Sequence, residues 1–192
     1  MRMIWVKDIS KSYGDKKVLD HFSMTVPEGK VTCIMGASGC GKTTLLRILM
    51  GLETQDAGTV EGLSKTRISA VFQEDRLCEN LSAMANIRLV CPGRDKKEIE
   101  DQMARVGLGG CKNQPARELS GGMRRRVALL RALDASGDVL LLDEPFKGLD
   151  EETKARVIDF VDRSREGRTI LCVTHDAEEA RALKAEKIVR ME

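Results

Sequence analysis

The chain has 192 residues, a length typical of one globular domain with a substantial core. Its 32 Lys and Arg residues nearly balance 30 Asp and Glu residues, and the net charge of +2 argues against a protein that coats nucleic acid. Aromatic residues make up 3% of the chain, too few for a surface that stacks single-stranded bases. Apolar runs all fall short of the roughly 18 residues that a transmembrane helix needs.

The N-terminal segment reaches charged residues too early for a secretory signal. The six cysteines form no C-x-x-C pair and are accompanied by two histidines, so a zinc site and a disulfide framework are both disfavoured. Cys33 and Cys172 lie in apolar runs and are predicted to fill the core. These observations predict a cytoplasmic protein that meets a membrane only through a partner.

The first third of the chain is typical of strands followed by a loop and a helix. Apolar patterning predicts strands at residues 4–6, 18–26, 30–35 and 68–72. A turn at Pro27-Glu28-Gly29 precedes the third of these strands. That strand stops at the glycine-rich residues 36–41, and helical spacing then predicts a helix over 43–51 that ends in glycine.

The middle of the chain, residues 81–133, is predicted to be largely helical, with a break at the glycines of 107–110. Further along, strands and helices alternate. The predicted strands are at 139–142 and 169–173, and the predicted helices are at 151–165 and 177–183. Continuous apolar strands alternating with helices predict an α/β fold with a parallel core sheet.

Residues 36–43 carry the strongest chemical signal. They fit the pattern G-x-x-x-x-G-K-[ST] and lie between a predicted strand and a predicted helix, the context that this motif requires. Glycines let the backbone wrap around phosphate groups, and the loop amides and helix N-terminus direct partial positive charge at the anion. Lys42 is predicted to reach the β- and γ-phosphates, and the Thr43 hydroxyl is predicted to bind Mg²⁺.

Two carboxylates follow the apolar strand at 139–142. Side chains at the carboxyl ends of parallel strands face the ligand crevice, so Asp143 is predicted to hold Mg²⁺ and Glu144 to polarise the attacking water. A third motif, L-S-G-G-M at residues 119–123, precedes three arginines. Taken alone, it is typical of a helix N-cap followed by a solvated helix face.

Together, these motifs resemble the ATPase subunit of ATP-binding cassette (ABC) transporters. The resemblance runs over residues 3–191 and rests on the phosphate loop, Gln73, L-S-G-G-M, the carboxylate pair, Asp150 and His175. P-loop kinases and small GTPases lack the L-S-G-G segment, so it is highly specific. The resemblance implies a P-loop NTPase core with a mostly parallel sheet, an N-terminal antiparallel β subdomain and a small helical subdomain.

The implied organisation is a single ABC ATPase domain over residues 1–192. The nucleotide-binding core with the β subdomain would occupy about 1–77 and 134–192, and the helical subdomain about 78–133. The implied cofactors are ATP and Mg²⁺. The loop residues that would contact ATP are Gly36, Ser38, Gly39, Cys40, Gly41, Lys42, Thr43 and Thr44.

Further roles follow from the resemblance alone. Tyr13, the only tyrosine, falls where the family stacks an aromatic ring on adenine. Gln73 would touch Mg²⁺ or the lytic water, so the implied metal ligands are Thr43, Gln73 and Asp143. Catalysis would depend on Glu144, His175, Gln73 and Lys42, with His175 contacting the γ-phosphate.

The resemblance also implies a dimer. Ser120, Gly121 and Gly122 match the signature that contacts the γ-phosphate of ATP held by the other subunit, in a homodimer or a pair with a second ATPase subunit. Asp150 matches the loop that couples the two sites. ATP-driven closure of such a dimer would power a membrane transporter.

The residues of these motifs look most like those of bacterial nitrate, sulfonate and taurine importer ATPases. This resemblance implies integral membrane permease subunits, an indirect link to an extracytoplasmic solute-binding protein, no nucleic acid, and a peripheral place on the inner face of the cell membrane. Some residues depart from the usual pattern: Met123 and Arg125 stand at positions that are commonly glutamine, and Lys147 and Gly148 replace small residues.

Three alternatives stay open at this point. The strongest is a soluble ABC ATPase such as an iron–sulfur assembly component. A P-loop kinase would leave L-S-G-G and His175 unexplained. A nucleotide switch without turnover is disfavoured because Glu144, Gln73 and His175 are all present.

Overall fold

A computed structural model describes residues 3–64 and 66–191. In chain order, the strands are β1 (Ile4–Tyr13), β2 (Lys16–Val26), β3 (Val31–Gly36), β4 (Ala57–Glu61), β5 (Ile68–Val71), β6 (Val139–Asp143), β7 (Thr169–Val173) and β8 (Lys187–Met191). The helices are α1 (Lys42–Leu49), α2 (Ala83–Arg88), α3 (Lys96–Arg105), α4 (Gly121–Asp134), α5 (Glu151–Ser164) and α6 (Ala177–Ala182). Two short 3₁₀ turns, Gly109–Cys111 and Ala116–Glu118, precede α4.

Within the described ranges, five strands form a parallel sheet in the order β5-β6-β7-β3-β8. Every residue of β6 and β7 is buried, as expected for strands covered on both faces. The carboxyl ends of these strands meet at one edge of the sheet, where Gly36, Asp143 and Thr174 lie on neighbouring strands or just beyond them. This edge positions the candidate site, and the predicted α/β fold class is confirmed.

A separate antiparallel sheet has the order β2-β1-β4 in the described part of the chain. The strand predicted at 4–6 extends to Tyr13, with irregular register against both neighbours. Strands β4 and β8 were not predicted. The side chains of β4 are exposed or half-buried, so the strand needs no buried apolar face. Its sequence therefore lacks the apolar alternation by which a strand is predicted. Strand β8 forms one edge of the parallel sheet and buries Met191 but leaves Ile188 and Arg190 exposed.

The segment predicted to be largely helical is only partly so. Between α2 and α3 the chain passes through Pro92 and Gly93 without forming a helix, and residues 106–120 hold only the two 3₁₀ turns. Proline and glycine explain both interruptions, because each raises the free energy of a helix interior. Asn86, fully buried in α2, anchors this region by accepting from the Cys78 amide and donating to the carbonyls of Cys78, Leu81 and Ser82.

The parallel sheet separates two apolar layers. One layer packs Cys33, Leu140, Leu142 and Cys172 with residues of α4 and α5, and the other packs Ile34 and its neighbours with α1 and the antiparallel sheet. Cys33 and Cys172 are fully buried, which confirms that they fill the core. Among the described residues, no helix combines the length and apolarity needed to cross a bilayer.

Candidate active site

The loop at residues 36–43, called the phosphate loop below, joins β3 to α1. A Cβ on Gly36 would lie 2.3 Å from the Met191 carbonyl oxygen, so no other residue fits there without moving β8. Gly41 has a φ of +97° and caps α1, and a Cβ there would lie 2.8 Å from the Val18 carbonyl oxygen. The glycines of the motif are therefore required by close backbone approaches as well as by the turn.

Lys42 lies inside the phosphate loop and is 7% exposed. Its ammonium donates to the carbonyls of Gly36 (2.8 Å) and Ala37 (2.7 Å), and it lies 3.7 Å from the Cys40 sulfur. These bonds hold the charge at the centre of the loop. Cys40, which is also a predicted ATP contact, lines a different, neighbouring cavity of about 510 Å³ together with Phe22 and Met191.

Thr43 and Asp143 meet across the gap between α1 and β6. The Thr43 hydroxyl donates to Asp143 Oδ2 at 2.9 Å. Burial raises the pKa of Asp143, although the Thr43 hydrogen bond and the Lys42 ammonium counteract this rise and Glu144 adds to it. A buried carboxylate and a hydroxyl therefore lie side by side at the phosphate loop. A cation bound there would favour the charged form of the Asp143 carboxylate.

A cavity of about 330 Å³ collects most of the predicted site residues. Its described lining consists of Val18, Ser38, Gly39, Gly41, Lys42, Thr43, Thr44, Gln73, Asp143 and Glu144. Val18 was not predicted. The sequence marks it only as an apolar residue at the start of the strand predicted at 18–26. In the structure, the side chains of Val18 and Leu19 both lie close to Gly41 of the phosphate loop.

Glu144 follows β6 in a left-handed backbone conformation, with a φ of +48° that is uncommon for residues other than glycine. Its amide donates to the Val173 carbonyl at 3.0 Å, which fixes the turn against β7. Lys147 Nζ lies 3.1 Å from Glu144 Oε2, and His175 Nδ1 lies 3.7 Å from Glu144 Oε1. The structure thus brings Glu144 and His175 together and adds a cation, Lys147.

His175 itself is exposed, but the residues beside it are anchored. Thr174 is buried and its hydroxyl donates to the buried Glu179 carboxylate. Asp176 caps α6 by accepting from the Glu178 amide at 2.8 Å. The loop that carries His175 is therefore anchored through the residues directly before and after it in the sequence.

Seven predicted residues are absent from this cavity's described lining. Gly36 and Cys40 belong to the phosphate loop and His175 lies beside Glu144, whereas the other four lie in β1 and at the start of α4. Tyr13 is 47% exposed at the end of β1, with Lys11 Nζ 5.4 Å from the centre of its ring. Ser120, Gly121 and Gly122 lie at the start of α4, where Ser120 Oγ accepts from the Met123 amide at 3.3 Å. Within one chain, residues 120–122 thus do not line the cavity at the phosphate loop.

Comparisons with known proteins identify the family of this chain. The sequence model of the ABC transporter family matches residues 19–147. The chain is 40% identical over 190 residues to the aliphatic sulfonates import ATP-binding protein SsuB 2 of Agrobacterium fabrum, covering 95% of this chain and 73% of that protein. It is 42% identical over 189 residues to SsuB 1 of Nocardia farcinica, covering 96% of this chain and 76% of that protein.

A solved structure adds the fold. The dimeric structure of MJ0796, a bacterial ABC transporter cassette, superposes with a TM-score of 0.85 at 27% identity, covering 98% of this chain and 94% of that one. The same cassette solved with ADP and Pi, in a post-hydrolysis state, gives the same TM-score. The chain therefore belongs to the ABC transporter family, as an ATP-binding subunit that hydrolyses ATP to drive import.

Proposed function

We propose that ATP binds with its phosphates in the phosphate loop and that the 330 Å³ cavity is the hydrolytic site. The observation that supports this most directly is the contact between Thr43 and Asp143, which places a hydroxyl and a carboxylate beside Lys42 at the loop. Lys42, held at the centre of the loop, would exchange its carbonyl partners for phosphate oxygens. Tyr13 would stack on the adenine ring.

The donor set fits Mg²⁺. Mg²⁺ prefers oxygen ligands and keeps several waters, and the Thr43 hydroxyl, the Asp143 carboxylate and the Gln73 amide supply oxygens around one cavity. When bound, the ion would supply positive charge to the phosphate oxygens. We propose these three residues as its protein ligands.

We propose that Glu144 accepts a proton from the attacking water. Its carboxylate lines the cavity and is 20% exposed, so a water can reach it from the phosphate side. His175, whose Nδ1 lies 3.7 Å from Glu144 Oε1, would contact the γ-phosphate. Lys42 would neutralise the charge that grows on the transferred phosphoryl group.

Asp143→Asn tests the metal site by binding instead of turnover. The wild-type chain is expected to bind ATP more tightly with Mg²⁺ than without it. In the variant, this Mg²⁺-dependent gain in affinity is expected to fall by at least about tenfold, because loss of a residue that only supports a metal ligand already costs that much. Isothermal calorimetry with and without Mg²⁺ measures both affinities. Asp138→Asn, at the residue just before the opposite end of the same strand, is the control. Equal Mg²⁺ dependence in wild type and Asp143→Asn would refute the ligand role.

We also propose that the site is completed by a second subunit. Ser120, Gly121 and Gly122 are absent from the described lining of their own chain's cavity. In the proposed assembly they would contact the γ-phosphate held by the partner. The dimer of the similar MJ0796 cassette supports such pairing. Two bound ATP molecules would then hold a homodimer, or a pair with a second ATPase subunit, in its closed state.

The proposed division of the chain follows the strands. All described strands lie outside residues 78–133, which supports a helical subdomain there and a nucleotide-binding core with its β subdomain at about 1–77 and 134–192. Residues 1, 2, 65 and 192 of these ranges lie outside the described residues.

We propose a small organic sulfonate as the imported solute, because the relatives at about 40% identity are named for aliphatic sulfonates. The subunit would sit on the cytoplasmic face of the membrane, bound to integral permease subunits, with a solute-binding protein on the far side and no nucleic acid. These importer relatives favour this assembly over an iron–sulfur assembly role.

Extraction of the tagged chain from its own cells tests this assembly. In mild detergent, the chain is expected to co-purify with a multi-span membrane protein. Reconstituted in vesicles with the matching binding protein, that complex is expected to hydrolyse ATP faster when ethanesulfonate is added. Co-purification with soluble proteins alone would contradict the importer assembly, and stimulation by nitrate instead of ethanesulfonate would contradict the solute.

A further inference from the structure

The loop at residues 72–76, which we call the Gln73 loop, is held by the side chains of α4. Arg131 donates to the carbonyls of Arg76 (3.0 Å) and Asp75 (3.1 Å). Arg125, nearer the start of the helix, donates hydrogen bonds to the carbonyls of Phe72 and Gln73 in the first half of the loop. Four of the five backbone carbonyls of this loop thus accept from guanidinium groups of one helix.

Arg125 makes the more specific set of contacts. One terminal nitrogen, Nη1, donates to the Phe72 carbonyl at 2.6 Å, and the other, Nη2, donates to the Gln73 carbonyl at 2.5 Å. Nη1 also lies 3.1 Å from Asp75 Oδ1, in an ion pair. The Arg125 side chain is 9% exposed, so its charge is compensated by these oxygens more than by water.

We propose that Arg125 is a positioning residue that fixes the backbone of Gln73 and so aims its amide at the nucleotide cavity. Gln73 is exposed and lines that cavity, and among its backbone groups the carbonyl is held by Arg125. A guanidinium is a planar fork that can serve two neighbouring carbonyls at once. Glutamine, common at this position in the family, is shorter and carries a single NH₂ group, so it does not reproduce this fork.

The arrangement also links two parts of the proposed site. Arg125 lies on the helix that Ser120 caps, and Gln73 lines the same cavity as Asp143. A movement of α4 would therefore displace the Gln73 carbonyl directly, through one side chain. This inference rests on the role proposed for Gln73.

A double-mutant cycle tests the proposal. Arg125→Gln is expected to lower kcat for ATP about tenfold, the effect of one lost charged hydrogen bond, while KM for ATP changes less than about twofold. Gln73→Ala is expected to lower kcat on its own. In the Gln73→Ala background, Arg125→Gln is expected to cause no further loss, because the two residues act through the same amide.

A purely structural role gives a different pattern. If Arg125 only stabilises the fold, its effect multiplies with that of Gln73→Ala, and this outcome overturns the proposal. Arg168→Gln is the matched control, since Arg168 likewise donates to backbone carbonyls, those of Leu133, Ser164 and Arg165. Its effect on kcat is expected to be the same with and without Gln73.

Two further results separate the possible failures. Arg125→Lys keeps the cation but loses the fork, so it is expected to recover part of kcat, and it serves the same cycle if Arg125→Gln does not fold. An unchanged kcat in Gln73→Ala would refute the proposed role of Gln73, and this inference with it. A reduced kcat in Gln73→Ala with no effect of either Arg125 variant would refute the role of Arg125 alone.

Discussion

The Glu144→Gln chain is expected to hydrolyse ATP about 10²-fold or more slowly than the wild-type chain, while it still binds ATP. Glutamine keeps the size of the side chain but cannot accept the proton of the attacking water. The backbone turn should persist, because the Glu144 amide that bonds the Val173 carbonyl is unchanged. Phosphate release measures turnover, and calorimetry measures ATP affinity.

The same variant also reports on assembly. With hydrolysis blocked, Mg-ATP is expected to convert the chain from monomer to dimer, which light scattering measures directly. Glu186→Gln is the control, because Glu186 pairs with Lys30 far from the site and should leave turnover unchanged. Normal turnover in Glu144→Gln would refute the proton-acceptor role. A monomer that holds bound ATP would refute closure by this chain alone.

Lys42→Ala is expected to act on binding itself. Hydrogen bonds to a charged group contribute about 1.5–3 kcal/mol each, so loss of the ammonium should weaken ATP binding on the order of 10- to 10²-fold. The loop should also loosen, since the ammonium donates to the carbonyls of Gly36 and Ala37. Calorimetric titration with ATP measures the loss.

Lys30→Ala is the matched control for Lys42→Ala. Lys30 precedes β3, whereas Lys42 follows the loop at the other end of that strand, and Lys30 is bound to Glu186 at 2.8 Å. Its removal should leave ATP affinity within about twofold of the wild-type value. Unweakened binding in Lys42→Ala would show that the phosphates lie elsewhere.

The parts that sequence reasoning predicted are those set by short segments. The phosphate loop is specified by eight consecutive residues, and the carboxylate pair follows a strand whose apolar run is unbroken. Because parallel strands end at one edge, the meeting of Thr43 with Asp143 follows from these local patterns once the sheet is assumed.

The parts that it missed depend on distant residues or on weak local patterns. Strand β4 has only Ala57 and Val60 as apolar residues and no apolar alternation to mark it, and its pairing with β1 is set by tertiary contacts. The bonds from Arg125 to the Gln73 loop span 52 and 53 positions of sequence. The pairing of Lys147 with Glu144 is local in sequence but depends on the unusual backbone of Glu144.

The N-cap of α4 narrows the choice of residue at position 120. Ser120 Oγ already accepts from the Met123 amide. Because the side chain is exposed, its hydroxyl proton can still be donated in a second hydrogen bond. Aspartate and asparagine cap helices as well as serine does. Aspartate would add a negative charge facing an incoming phosphate, and asparagine would replace a compact rotating donor with a larger planar one. In the proposed dimer, the small serine hydroxyl would begin the helix by accepting from the Met123 amide and would donate its proton to the partner's phosphate with the same atom.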